Sequence, residues 1–386
     1  MLDFSRSYSD EREQVLAALT EVCDSQRFIL GPFVERFEKE VAQQIAAIAA
    51  VPQPLPHAIG CSSGTDALWL ALRALDVGPG DRVLTTPFSF FATASSIVHA
   101  GATPVFADID PMTFNLAPQS VESVLARTPK PVKALLPVHL YGQCAEMTAL
   151  GKLAERYALR VIEDAAQAIG AAWDGQPAGV LGDVACFSFY PTKNLAAMGD
   201  AGLCTTRDTA LAERLTMLRA HGMRRRYFHD EVGWNCRLDG FQAAVLSVRL
   251  KRLADGNERR RQRAARYEAL FHAAGLAAGF RADAPLEGIV LPHTDPRATP
   301  VFHQYVIRAP RRDALREALT ARQIGCEVYY PLCLHEQQAL ASLGYRRGDF
   351  PQAERAAEEV LALPMYPELR EDEQECVVDA IRSFYA

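Results

Sequence analysis

Three short segments carry polar side chains whose types and spacing could act together in catalysis. Lys193 follows an apolar run in FSFYPTKN (187–194), and Asp164 closes the apolar run VIED (161–164). A lysine amine in a cleft can form a Schiff base and carry protons once its pKa is lowered. Lys193 comes 29 residues after Asp164, one sheet crossover later, so we expect both side chains to reach one cleft.

The aspartate at the end of its apolar run has two explanations. Burying a carboxylate there is costly unless it meets a cation. The pyridinium nitrogen of pyridoxal phosphate is such a cation, and Asp164 would keep it protonated so that the ring can accept electrons. Gln167 would then lie on the same face of the following turn. A structural cap of a helix explains Asp164 equally well on this motif alone.

The third segment, CSSGTDAL (61–68), runs from a strand through a glycine-containing turn into a helix. Backbone N–H groups at a helix start, together with the hydroxyls of Ser63 and Thr65, could hold a phosphate. A plain N-terminal cap by serine or threonine is the favoured interpretation of this motif alone. All three segments follow strand patterns, and the ends of strands are where open α/β sheets place ligands.

Apolar runs that alternate with helical patterns over residues 57–206 predict the sheet that positions these segments. Runs that are apolar on both faces and separated by helices indicate a mostly parallel sheet covered on both sides. The helical patterns include Thr65–Leu75 and Met147–Tyr157. The seven predicted strands are His57–Cys61, Arg82–Thr86, Thr103–Asp108, Lys133–His139, Arg160–Glu163, Ala185–Phe189 and Gly202–Thr205.

The last third of the chain predicts a second, smaller α+β domain. A long helical stretch covers Leu238–Ala274, with a break near Gly256. The elements predicted after it are a strand at Val301–Ile307, a helix at Arg312–Arg322, a strand at Cys326–Tyr330 and a last helix ending near the C-terminus. We therefore assign residues 1–240 to an N-terminal arm and a large domain, and residues 241–386 to the connecting helix and a small domain.

The composition excludes several classes of protein. With 49% apolar and 23% charged residues in 386, the chain is neither disordered, collagen-like nor a coiled coil. A net charge of −6 argues against a general binder of nucleic acid or acidic membranes, and no run of 18 apolar residues is present. The acidic N-terminal segment is unlike a signal peptide. We expect a cytoplasmic protein that binds neither nucleic acid nor membrane.

Common cofactor and metal motifs are missing from the sequence. No GxGxxG follows a strand, and GxxxxGK[ST], HExxH and GxSxG do not occur. Nine cysteines without a CxxC pair indicate small buried apolar residues rather than disulfides or zinc ligands, so no metal site is expected. The arginine clusters at 224–226 and 259–261 are typical of solvated helix faces or subunit contacts, although the first could meet an anionic substrate.

Taken in order, the motifs resemble the DegT/DnrJ/EryC1/StrS family of pyridoxal-phosphate-dependent sugar aminotransferases. The resemblance extends from GPFVERFE (31–38) through VHLYGQ (138–143) and GWNCRLD (233–239) to LPMYP (363–367). It implies an α/β fold of fold-type I, with a large, mostly parallel seven-stranded sheet domain covered by helices and a smaller C-terminal α+β domain. It also implies pyridoxal phosphate as the cofactor.

The same resemblance implies roles for individual residues. Lys193 would link to the cofactor as a Schiff base and act as the acid–base catalyst, Asp164 would pair with the pyridine nitrogen, and Gln167 would hydrogen-bond the ring hydroxyl. Phe90 falls where the family stacks an aromatic ring on the cofactor, although a core position is the alternative. The residues that would hold the phosphate are Ser63, Gly64, Thr65 and Ser188.

Other implied contacts concern the partner subunit and the substrates. Asn235 corresponds to a residue that reaches the phosphate of the neighbouring subunit, which implies a homodimer with shared active sites. Arg237 could meet the carboxylate of the amino donor, with a structural ion pair as the alternative. Tyr329, Tyr330 and His335 fall in the segment that faces sugar substrates in relatives.

The implied reaction is ping-pong transamination from an amino acid, L-glutamate, to a nucleotide-diphosphate-linked keto sugar. The run FYPTKNL followed by GDAG resembles the subgroup that aminates carbon 3, and amination at carbon 4 is the alternative. Lys193 speaks against related dehydratases, which carry histidine in its place. A non-catalytic regulator on the same fold and a nicotinamide enzyme are the remaining alternatives; the missing Gly-rich fingerprint disfavours the latter.

Overall fold

The structure, a computed structural model, describes residues 3–49, 54–128 and 130–386. Its α-helices are α1 (Phe4–Ser25), α2 (Pro32–Ile48), α3 (Gly64–Ala74), α4 (Ala92–His99), α5 (Pro118–Arg127), α6 (Met147–Arg156), α7 (Thr209–Leu218), α8 (Gly240–Leu250), α9 (Leu253–Ala273), α10 (Arg312–Ala321), α11 (Pro351–Glu359) and α12 (Glu371–Tyr385). Its strands are β1 (His57–Cys61), β2 (Arg82–Thr85), β3 (Thr103–Phe106), β4 (Ala134–Leu136), β5 (Arg160–Asp164), β6 (Ala172–Trp173), β7 (Gln176–Pro177), β8 (Val184–Ser188), β9 (Gly202–Thr206), β10 (Met223–Arg225), β11 (Phe228–His229), β12 (Ala298–Thr299), β13 (Tyr305–Arg308) and β14 (Val360–Leu363).

Seven strands form the central sheet in the order β1-β9-β8-β5-β4-β2-β3. The strands from β8 to β3 in this order run parallel, whereas β9 is antiparallel to both β1 and β8. These are the seven strands that the apolar runs predicted, although β4 is shorter than its pattern. The mostly parallel α/β sheet is therefore confirmed.

Side chains of β5 alternate between the two faces of this sheet, and each face has its own apolar core. Ile162 belongs to the core that also contains residues of α3, α4 and α7 and extends into the C-terminal part of the chain. Val161 belongs to the core formed with α2, α6 and α8. Because alternate strand residues share a face, Asp164 lies on the side of Ile162 and Glu163 on the side of Val161.

The C-terminal part departs from the prediction in its details. The helix break lies at Lys251–Arg252, and Gly256 is inside α9. A glycine costs a helix only about 1 kcal/mol, which the packing of α9 outweighs. The strand predicted at Cys326–Tyr330 is wrong, since Glu327 forms only an isolated bridge to Ala362. β14, which was not predicted, pairs with β13 instead, and β13 begins later than its pattern.

Cysteines, membrane spans and metal sites can be checked over the described ranges. The nine cysteines are free, and six of them are buried as predicted: Cys61, Cys144, Cys186, Cys204, Cys236 and Cys333. No helix in the described part of the chain is long and apolar enough to cross a membrane. In the same ranges, no three His, Cys, Asp or Glu side chains are grouped so that they could hold a metal ion.

Candidate active site

Asp164 lies at the buried end of β5, where the alternation of the strand points it towards α4. Oδ2 accepts a hydrogen bond of 2.8 Å from the hydroxyl of Thr93, and Oδ1 accepts a longer one of 3.3 Å from the backbone N–H of Ala166. Burial raises the pKa of the Asp164 carboxyl, and the Thr93 hydroxyl opposes that rise. The carboxylate is thus held in a fixed direction and has few partners for its charge.

Lys193 lies in the loop between β8 and β9, where its backbone N–H closes a turn on the carbonyl of Tyr190 at 2.8 Å. Burial lowers the pKa of its amine from 10.5 to about 8, and the charge of Asp164 acts in the opposite direction. The sheet order explains the meeting of the two residues, since β5 and β8 are neighbours. The structure therefore brings Lys193 and Asp164 to one place, as the sequence predicted.

Glu163, next to Asp164 in the chain, supports the site from the other face of the sheet. Its carboxylate accepts hydrogen bonds from the backbone N–H groups of Gly179, Leu181 and Gly182 at 2.7 to 2.9 Å. It also meets Nε2 of His139 at 3.0 Å, while Nδ1 of that ring accepts from a backbone N–H. The histidine is therefore the Nε2–H tautomer, and Glu163 is a structural anchor of β5.

Gln167 lies on the turn after β5 and is oriented by two tyrosines. Its Oε1 accepts a 2.6 Å hydrogen bond from the backbone N–H of Tyr141, and its Nε2 donates to the hydroxyl of Tyr330 at 3.3 Å. Tyr141 in turn donates its hydroxyl to the carbonyl of Tyr329. With Oε1 occupied, the amide nitrogen of Gln167 retains a second hydrogen for an acceptor in the cleft.

The glycine-containing turn leads from β1 into α3 as predicted. The Ser63 side chain caps α3: its Oγ accepts from the Asp66 backbone N–H at 3.1 Å and lies 2.8 Å from the Asp66 carboxylate. A Cβ on Gly64 would come 2.6 Å from the Cβ of Ser188, so only glycine fits between this turn and the end of β8. The first N–H groups of α3, including Thr65, lack intrahelical acceptors and could hold a phosphate.

The aromatic residues near the turn after β2 divide between core and cleft. Phe88 is fully buried, whereas Phe90 is 60% exposed, so Phe90 does not occupy a core position. The Phe90 and Tyr330 rings lie 6.3 Å apart, and Phe88 meets the edge of Tyr330 at 6.2 Å. Phe90 is therefore free to cover a flat ligand on the side of Tyr330.

Asn235 and Arg237 lie on the segment that leads into α8. Asn235 is exposed, next to an exposed Trp234. A backbone bridge between Arg237 and Cys61 places this segment beside the start of the turn before α3. Arg237 is half-buried. Within the described residues it forms no ion pair, so the structural ion pair considered for it is not found in that part of the chain.

Tyr329 and His335 lie in different surroundings. Tyr329 is half-buried and contacts Tyr330 ring to ring at 5.8 Å. His335 is buried: its Nε2 lies 3.1 Å from Oε1 of Glu354, and its ring packs on Phe350 at 4.8 Å. The structure thus keeps Tyr329 near the cleft, whereas His335 is buried within the C-terminal part of the chain and is not open to a substrate.

The sequence model of the DegT/DnrJ/EryC1/StrS aminotransferase family matches residues 9–382 of the chain. The chain belongs to this family. A pleiotropic regulatory protein of Geobacillus stearothermophilus is 47% identical, covering 100% of this chain and 98% of the relative. UDP-N-acetyl-3-dehydro-alpha-D-glucosamine 3-aminotransferase of Acidithiobacillus ferrooxidans is 41% identical, covering 99% of this chain and 96% of that protein.

Solved structures of DegT/DnrJ/EryC1/StrS proteins share the fold. DesV of Streptomyces venezuelae, in complex with a ketimine intermediate, is 42% identical with a TM-score of 0.89, covering 99% of this chain and 97% of that one. NtdA of Bacillus subtilis, with bound cofactor PMP, is 32% identical with a TM-score of 0.83, covering 96% of this chain and 81% of that one. The predicted fold-type I architecture is thereby confirmed.

The residues of this DegT/DnrJ/EryC1/StrS protein fit pyridoxal phosphate chemically. Asp164 is a buried carboxylate that lacks a strong cationic partner, and Lys193 is a half-buried lysine whose amine loses its proton more easily than usual. Gly64 lets the start of α3 approach Ser188 closely, and the free N–H groups of that helix start are of the kind that bind phosphate. Thr93, which the sequence analysis missed, belongs to this set, and its position within an ordinary small-residue helix gave no signal.

Proposed function

We propose that the chain is a pyridoxal-phosphate-dependent aminotransferase that transfers the amino group of L-glutamate to the carbon-3 keto group of a nucleotide-diphosphate-linked sugar. The observation that carries this proposal is the pairing of Lys193, a half-buried lysine whose amine has a pKa of about 8, with the buried carboxylate of Asp164. Perturbed groups of this kind gather at catalytic sites. Membership of an aminotransferase family supports the same reaction.

The cofactor, when bound, supplies an electrophilic carbon and a ring that withdraws electrons. Asp164 holds the proton on the pyridine nitrogen, since its carboxylate is kept in place by Thr93. Lys193 would hold the cofactor through its amine and, once an amino donor had replaced it there, would carry a proton between the α-carbon of the donor and the cofactor. A pKa near 8 leaves part of the amine unprotonated at neutral pH, which both tasks require.

The carbon-3 specificity is proposed because the run FYPTKNL (189–195) with GDAG (199–202) resembles the subgroup that aminates carbon 3. A relative named as a 3-aminotransferase of a UDP-linked sugar supports it. Parallel assays with a 3-keto and a 4-keto nucleotide sugar test the assignment, with the position of the new amine read by NMR. Amination of only the 4-keto substrate would contradict it.

A homodimer with shared sites completes the proposal. Asn235 is exposed in the single chain, and nearby Tyr227, Phe228, Val232 and Trp234 are between 56% and 90% exposed. Exposed apolar groups clustered in this way are typical of protein interfaces. We assign this segment to the contact through which Asn235 reaches the phosphate of the neighbouring subunit.

A regulatory role is the second candidate, because one relative carries a regulatory name. A protein that only binds a partner has no need of a buried lysine beside a buried aspartate. The experiment that separates the two is the visible absorption spectrum of the purified protein with pyridoxal phosphate, before and after L-glutamate. Catalysis requires a lysine-bound cofactor band that glutamate converts to the amine form. Absence of the band would favour the regulator.

A further inference from the structure

Asn194, the residue after Lys193, is bound on three sides. Its Nδ2 donates to Oδ1 of Asn257 at 2.9 Å and to the carbonyl of Val301 at 3.2 Å. Its Oδ1 meets Nδ1 of His303 at 3.1 Å. An amide with this many partners cannot move without breaking several hydrogen bonds, so the loop at Lys193 is fixed through its neighbour.

Asn257, on α9, extends this arrangement to the Asp164 side of the cleft. It is only 4% exposed, and its Nδ2 donates to the carbonyl of Ile169 at 3.0 Å. It packs closely on Gly170, where a Cβ would come 2.4 Å from that nitrogen. Residues 165–171 follow Asp164 and include Gln167, so Asn257 joins the loop after Asp164 to the loop that carries Lys193.

His303 completes the set from the segment before β13. Since Asn194 uses Oδ1 as an acceptor, the histidine donates Nδ1–H and is the corresponding neutral tautomer. Burial, together with the positive charges of Lys193 and Arg260, holds the pKa of His303 well below its usual range. The neutral ring secures Asn194 without adding another positive charge near Lys193.

Packing does not hold this loop on every side. A cavity of about 820 Å³ is lined by Lys193, Asn194, Asn257 and Arg260, among others. Side chains that border a cavity make fewer packing contacts than side chains inside a packed core. The hydrogen bonds of Asn194 therefore restrain a loop that protein packing holds on only some of its sides.

We propose that Asn194, Asn257 and His303 are positioning residues that hold Lys193 in its half-buried place and aligned with Asp164. The proposal rests on the proposed function only for the reason why Lys193 must be held in place. The hydrogen bonds themselves are contacts within this chain. Lys193 interacts electrostatically with Asp164 on β5 and with His303, and Arg260 on α9 acts on His303 as well. When the network is broken, water reaches the loop and the amine is buried less.

The test is a site-resolved titration of the lysines in cofactor-free protein. The chain has six lysines, and their reductive methylation can be followed peptide by peptide across a pH series. In Asn257→Ala and in His303→Ala, we expect the pKa of Lys193 to rise by about one unit, because hydration favours the charged amine. His303→Asn keeps an N–H donor close to the position of Nδ1 and should restore the wild-type value.

Gln374→Ala is the matched control. Gln374 is fully buried on α12, and its amide donates to the carbonyl of Arg263 on α9 at 2.8 Å, away from the Lys193 loop. This variant should loosen α9 without moving the titration of Lys193. Circular dichroism checks that each variant folds, and the two alanine variants probe the network from different elements.

Two results would overturn the positioning role. One is an unchanged Lys193 titration in folded Asn257→Ala and His303→Ala. The other is an equal change in Gln374→Ala, which would show a general loosening. Neither lysine titration needs the cofactor. If wild-type protein showed no cofactor band, the proposed function would be refuted, and the lysine titrations would still decide this proposal.

Discussion

The hydroxyl of Thr93 on α4 donates a hydrogen bond to the carboxylate of Asp164 on β5 at 2.8 Å, in surroundings from which water is excluded. Burial alone would favour the neutral acid, and the hydroxyl is the strongest of the groups that oppose it. The oxygen of Thr93 also lies 2.9 Å from that of Ser89. A short chain of hydroxyls therefore favours the charged form of Asp164 against the effect of burial, at the place where the cofactor nitrogen would meet it.

Thr93→Val should weaken cofactor binding while leaving the fold intact. A hydrogen bond to a charged group contributes about 1.5–3 kcal/mol, so we expect the affinity for pyridoxal phosphate to fall by a factor of about 10 to 100. The loss should be greater at pH 5.5 than at pH 8, because the pKa of Asp164 rises further without the hydroxyl. Absorbance titration measures the affinity, with Thr113→Val as the control. If Thr93→Val lowered the affinity for pyridoxal phosphate by the same factor at both pH values, the role of Thr93 would be contradicted.

Lys193→Met should change how stability depends on pH. The folded-state pKa of about 8 lies below the ordinary value of 10.5, so the unfolded chain binds more protons between these values. The free energy of unfolding of the wild type minus that of Lys193→Met should therefore be lowest below pH 8 and should rise up to about pH 10.5. Urea unfolding of cofactor-free protein from pH 7 to 10 measures this difference.

Exposed Lys152→Met provides the comparison for that series. The difference in unfolding free energy between wild type and this variant should stay flat where the Lys193 difference rises. A flat curve for Lys193→Met as well would mean that the amine is hydrated in the folded protein. The same Lys193 variant should have no transaminase activity, because no other side chain can take over its link to the cofactor.

The large sheet could be predicted because its strands are apolar on both faces and glycine, proline or helical patterns separate them. The pattern also located Asp164 and Lys193, since polar residues that end such strands meet at one edge. The C-terminal part was harder to predict. β14 has only four apolar residues, Val360–Leu363, and so short a run does not distinguish a strand from a buried helix segment.

Residues that act through tertiary contacts had no signal in the sequence. Thr93 lies 71 positions before Asp164, and Asn257 lies 63 positions after Asn194. Neither belongs to a spaced motif, and each resembles an ordinary helix residue until the fold places it. His335 shows the opposite case, since its position in the chain suggested a substrate contact and the structure pairs it with Glu354.

Arg237→Ala should raise KM for the amino donor by more than about tenfold, with kcat much less affected. The guanidinium forms no ion pair with the described residues, so it is available to a carboxylate, and charge-assisted pairs of this type contribute strongly to binding. Arg237→Lys should recover part of the loss. Steady-state kinetics at varied concentrations of L-glutamate measure KM and kcat for each variant. Arg156→Ala, which removes an exposed pair with Glu122, is the control.

His335→Ala should lower the free energy of unfolding by about 3 kcal/mol, because it leaves the buried Glu354 carboxylate without one donor and opens a cavity. The KM for the keto sugar should stay the same at temperatures where the variant is folded. Chemical denaturation and steady-state kinetics test the two statements separately. A raised KM with unchanged stability would instead support direct contact with the sugar.

Mixing two inactive variants tests whether the active site is shared between subunits. Lys193→Ala removes the lysine from one chain, and Asn235→Ala removes the phosphate contact from the other. If Asn235 serves the neighbouring subunit, a hybrid dimer combines an intact Lys193 from one chain with an intact Asn235 from the other in one of its two sites.

Unfolding and refolding the mixture should therefore restore activity that neither variant has alone. If Asn235 acts within its own chain, both sites of every hybrid stay defective and mixing restores nothing. Size-exclusion chromatography with light scattering establishes that hybrids form, and differently tagged chains allow the hybrid to be isolated before assay.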